Sequence, residues 1–179
     1  MAAKRKPRPN PARGGPAAEG SPIGLRRIEG PDTYELVPPS CVRRRADDLD
    51  EVRAMLAAGE IDIAEEELRW LLDGCHAMIE AHKLLGEIAL ADGDLALARG
   101  HLGYAYGLGL AALPVNRPCR LPSTRPANRP FFEAGKLLAV CLHRLKEPLT
   151  AEPIVRRLIE LDPTDPLKIK DAVTAEECP

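Results

Sequence analysis

Four histidines, five cysteines and a dense set of carboxylates are the side chains here that can carry chemistry. Nucleophilic catalysis needs a Ser or Cys with a base in reach and a third group to orient that base. His76, His82, His101 and His143 have no such partners at suitable spacing, and the chain contains no G-x-S-x-G, no phosphate-cradling glycine loop and no H-E-x-x-H. Gly107-Leu108-Gly109 follows a helical pattern rather than a strand, so it is not a dinucleotide loop. Glu65-Glu66-Glu67 share one helical turn and are expected to face water. The reading is a non-enzyme with no catalytic residues and no cofactor.

Cys41, Cys75, Cys119, Cys141 and Cys178 are odd in number, with no C-x-x-C pair. That pattern leads us to expect a reduced, cytoplasmic protein. Cys75-His76 with His82 or His101 does not fix a tetrahedral ligand set, so no metal site is expected. No stretch has the apolar length of a membrane span. Lys4, Arg5, Lys6 and Arg8 are followed by prolines and glycines rather than an apolar core, which does not fit a secretory signal. What remains is binding, and the question becomes which elements present a surface.

The organising stretch is 84–113, two amphipathic helices joined at Asp92-Gly93-Asp94. Leu84, Leu85, Ile88 and Ala89 recur at helical spacing, as a core-facing stripe must. Glycine accepts the left-handed turn, and Asp94 is placed to cap the next helix. Gly86, Ala98 and Ala105 are small where two antiparallel helices approach. The unit repeats at 34 residues: Gly59 with Gly93, Ala64 with Ala98, Leu68 with Leu102. Residues 138–158 continue it after 19 extra residues, with Leu138, Ala139 and Leu142, then Ala151, Val155 and Leu158.

A helix-turn-helix of period 34 is the tetratricopeptide signature, and the chain resembles the tetratricopeptide repeat (TPR) family over about 45–78, 79–112 and 132–165. Two features depart from it. Asp48, His82 and Gly135 stand where the family has tryptophan, and Glu51-Val52 replaces Leu-Gly in the first copy. The resemblance implies an all-α fold: a short TPR-like helical-hairpin solenoid of three repeats. It also implies a concave groove that takes a peptide or a segment of another protein. By repeat alignment the groove positions are Arg53, Glu80, Lys83, Glu87, Lys136, Val140 and His143. A TPR subtype clamps chaperone C-termini with lysines, an arginine and asparagines. Glu87 and Val140 stand in place of the asparagines, so that ligand is not expected.

The flanks differ from the repeats. Residues 1–20 are basic and rich in proline and glycine, and are read as a disordered tail. Residues 21–46 hold Pro31, Pro38 and Pro39, which forbid a long helix, and an irregular or short extended segment lying on the first hairpin is expected. Residues 166–179 give a brief cap and a tail. Helices are expected at about 47–58, 61–73, 79–91, 95–109, 132–145 and 149–161, with Asp47 capping the first and Pro153 in the first turn of the last.

The insertion, 113–131, has proline at every fourth position from Pro114 to Pro130. Its four arginines are Arg117, Arg120, Arg125 and Arg129, and it has no acid. It is expected to bulge from the solenoid as a polyproline-like loop, mobile or serving as a docking surface or lid. Charge is segregated: net +6 over 1–45, −10 over 46–112 and +4 in the insertion. A protein partner is therefore the leading reading. The alternative is a nucleic-acid-associated protein using the basic tail and arginine loop, although the tail has no aromatic residue to stack on bases. Composition leaves the oligomeric state open.

Overall fold

The computed structural model describes residues 23–115 and 117–174. The basic N-terminal tail lies outside the described residues. The chain is mostly helical: α1 Ser40–Arg44, α2 Ala46–Ala57, α3 Ile61–Gly74, α4 Ile79–Ala91, α5 Leu95–Ala111, α6 Arg129–Arg144, α7 Pro148–Leu161 and α8 Asp171–Thr174. The six long helices fall as three hairpins, α2–α3, α4–α5 and α6–α7. Gly59 and Gly93 take left-handed φ of 78° and 79° at the first two turns, the conformation that spares glycine a Cβ clash. Asp94 caps α5 by accepting from the Leu97 N–H at 2.9 Å. Gly86 lets α4 and α5 close up, because a Cβ there would lie 2.5 Å from Leu102 Cγ.

Within residues 21–46 the extended alternative holds, but its packing differs from expectation. β1 (Gly24–Arg27) and β2 (Tyr34–Val37) form an antiparallel ribbon. The ribbon packs not on the first hairpin but on the C-terminal core, where Leu36 is buried with Leu121, Phe131 and Phe132. Alternation explains this: Tyr34 and Leu36 share one face of β2 and Glu35 the other. A second core belongs to the first half and holds Leu49, Val52, Leu68, Leu71, Met78 and Leu85.

The insertion also departs from expectation, because it is a fastened clasp rather than a bulging loop. The Tyr34 N–H donates to the Arg120 carbonyl at 2.8 Å, and the Arg120 N–H donates to the Asp32 carbonyl at 2.7 Å. The Leu121 N–H donates to the Leu161 carbonyl at 2.9 Å. Ser123 gives both its N–H and its hydroxyl to one oxygen of Asp162, each at 2.7 Å. Asn128 is fully buried. Its side chain accepts from the Leu36 N–H at 2.8 Å and donates to the carbonyls of Pro122 at 2.9 Å and Tyr34 at 3.3 Å. Proline density removes N–H donors, and the buried side chains of Ser123 and Asn128 are paired, as burial requires.

Smaller expectations are corrected too. α6 begins at Arg129 rather than near 132, and Phe131 and Phe132 are fully buried in the C-terminal core. Trp70 is only partly buried, with the Arg45 guanidinium 4.4 Å over its ring. Arg45, not Asp47, precedes α2; Asp47 and Asp48 sit in the first turn and act through the helix dipole. α7 starts at Pro148, so Pro153 lies past the first turn. It offers no N–H to the carbonyl four residues back, on exposed Leu149, where water can replace it. Cys41 and Cys75 are not reduced: a disulfide joins them.

Candidate functional site

The groove positions implied by the resemblance lie on α2, α4 and α6, and most of their charges are spent holding these helices together. Arg53 on α2 reaches Glu80 on α4 through two nitrogens, at 2.9 and 2.6 Å, and also pairs with Asp50. Hydrogen bonding to Glu80 raises the Arg53 pKa further, and burial opposes it. Lys83 on α4 sits 3.2 Å from Glu87 and 3.6 Å from Glu133 on α6, and its side chain is only 12% exposed. Lys136 on α6 donates to the Leu167 carbonyl at 2.8 Å. Val140 packs on the C-terminal core. The His143 Nδ1 is buried with no hydrogen-bond partner among the described residues. The segment after α7 covers this end. Ile169 is 2% exposed, and Asp165 accepts from the Ile169 and Lys170 N–H groups.

Of the insertion arginines, Arg117, Arg120 and Arg125 are exposed, and the backbone of Arg120 and Arg125 is hydrogen-bonded beneath them. Arg129 turns back to Glu133 at 2.7 Å.

Two features lie outside the sequence expectations. A cleft of about 380 Å³ opens where the first hairpin's turn meets α4, lined by Leu56, Ile61, Leu84 and Ile88 and rimmed by Glu87 and Asp92. Ile61 and Ile63 remain 40% and 50% exposed at the start of α3. Their place next to the Gly59 turn was the available signal, since hydrophobic periodicity does not separate a half-covered isoleucine from a core one. The second feature is a histidine pair. His82 on α4 and His101 on α5 meet across the Gly93 turn with Nδ1 atoms 3.2 Å apart. Burial holds His82 down to about 4, and the neighbouring His101 also opposes its charge. Burial likewise lowers His101, followed by the effect of Arg69. Nineteen residues separate the pair in sequence, so only the hairpin reveals it.

Among the described residues, no helix is long and apolar enough to cross a membrane. Neither a protein-family model nor a curated protein sequence matches this chain.

Proposed function

We propose that the chain is a non-enzymatic interaction module, a TPR-like solenoid of three repeats that binds a segment of another protein against α2 and α4. The observation that carries this reading is the open apolar cleft beside the first turn, on repeats whose net charge over 46–112 is −10. An apolar anchor with a basic neighbour suits it: the anchor fills the space between Leu56, Leu84 and Ile88, and the cation meets Glu87 or Asp92. Arg53, Lys83 and Lys136 are engaged within the fold, so recognition rests on shape and acidic rim rather than on a carboxylate clamp.

A cytoplasmic location belongs to the same reading; against it, the Cys41–Cys75 disulfide suits an oxidising compartment. The test is affinity capture from source lysate, with nuclease added, using wild type beside the double variant Ile61→Glu, Glu87→Lys. Both sites are on the surface, and circular dichroism checks the fold. A protein held by wild type and lost by the folded variant supports the cleft. Equal capture by both refutes it. Capture lost on nuclease treatment alone supports the nucleic-acid reading, with Arg117, Arg120 and Arg125 as the contact.

A further inference from the structure

The His82–His101 pair has a geometry that its helices do not need. The Nδ1 atoms are 3.2 Å apart, and the Nε2 of His82 lies 3.1 Å from the His76 carbonyl. A carbonyl only accepts, so the His82 ring carries its proton on Nε2 and turns an unprotonated Nδ1 toward His101. A backbone carbonyl that fixes tautomer and orientation in this way is the usual support behind a metal-binding imidazole. Two imidazole nitrogens on one tetrahedral ion, each about 2.05 Å from it, stand about 3.3 Å from one another. The observed separation is that of a ring-to-ring hydrogen bond, His101 donating to the unprotonated Nδ1 of His82, and it also matches that edge. His101 is half-buried, so moving its proton to Nε2 leaves that proton within reach of solvent.

Other groups stand close to the pair. The Tyr104 ring lies 4.6 Å from the His82 ring, centroid to centroid. Glu65 and Arg69, paired with each other, place opposed charges near His101. A pocket of about 240 Å³ is lined by His76, Ala77, Tyr104 and Leu108. Among the described residues no three His, Cys, Asp or Glu side chains converge on one point. An ion held by the pair therefore keeps water on its remaining positions and can exchange it for a donor atom from outside.

We propose that His82 and His101 form a two-imidazole site for a late first-row divalent cation, Cu2+ or Zn2+, beside the Tyr104 ring. Imidazole suits both ions. The site stands apart from the cleft at Leu56 and Ile88 and does not depend on it.

The test uses the full-length chain freed of metal with chelator, then titrated with Cu2+ and followed by calorimetry and electron paramagnetic resonance. One ion per chain is expected, with hyperfine splitting from two imidazole nitrogens, and Zn2+ displaces it. His101→Gln and His82→Gln should each weaken binding at least about tenfold, while His143→Gln leaves it unchanged. His101 is the more exposed of the two, so His101→Gln tests the site even where His82→Gln lowers stability. Binding that persists unchanged in His101→Gln, or no binding by wild type at micromolar Cu2+, overturns the proposal.

Discussion

The two halves of this molecule solve the same problem with different chemistry. Before α4 the chain passes through Cys75, and one period earlier, before α2, through Cys41; a disulfide ties these equivalent positions. Before α6, the corresponding position is Asn128, displaced by the insertion. It ties its neighbours with hydrogen bonds from one buried amide to β2 and to Pro122. The first half is an aliphatic core with a covalent staple. The second stacks Phe131 on Tyr106 with centroids 5.4 Å apart and sets Phe132 edge-on to Phe131 at 5.3 Å. It fastens the flanking segments through Asn128 and Asp162. Burial raises the Asp162 pKa, but the hydrogen bonds from Thr164 and Ser123 outweigh it and hold the carboxyl below its ordinary value. A repeat stack with short ends can therefore be closed by its own flanks. Here the N-terminal ribbon crosses to the far half, since Leu36 and Asn128 are 92 residues apart.

Breaking each fastener should separate the halves experimentally. The largest effect is expected from Cys41→Ser with Cys75→Ser. Releasing a loop of 34 residues should cost about 3–4 kcal/mol on loop-entropy grounds, read as a lower urea midpoint. Amide exchange should rise in α1 to α3 and change little in α6 and α7. Asn128→Ala comes next: it orphans the Leu36 N–H and two carbonyls and should cost about 2–3 kcal/mol. Here exchange should rise at Leu36 and in the insertion, sparing α2 and α3.

Acid gives a smaller, graded effect. His82 titrates at about 4 when folded against 6.5 in its unperturbed state, so the unfolded chain binds the proton more readily. Stability is complete above about pH 6.5 and should fall as pH drops towards 4. His82→Phe, measured by thermal melts in chelator-containing buffer at pH 7 and 5, should flatten that slope. Arg53→Ala should cost least, under about 1 kcal/mol, because exposed ion pairs contribute little. A larger loss of urea stability would mean that the Arg53–Glu80 bridge from α2 to α4 carries more than an exposed pair usually does.

The hairpins were legible in the sequence because they are local. Their signals were a leucine and alanine period, glycines at two turns and an aspartate cap, all within 34 residues. The flanks were not legible because their structure depends on distant partners. Nothing near Leu36 announces that its N–H will meet Asn128, and proline spacing in the insertion says what it cannot form rather than where its carbonyls go. Likewise, the repeat alignment placed Lys83 and Lys136 on the α4 and α6 positions but not the groups that occupy them, Glu133 and the Leu167 carbonyl. No C-x-x-C spacing announces the disulfide. Cys41 and Cys75 instead share a repeat position.

The insertion is a clasp, fastened to β2, to the end of α7 and to Asp162. Hydrogen–deuterium exchange on the native chain tests it most directly. The Leu36, Arg120, Leu121 and Ser123 amides should be protected to nearly the same degree as those in the middle of α6. Exchange of these four amides within seconds, as in an unfastened loop, would contradict the claim and return the insertion to the role of a mobile arm.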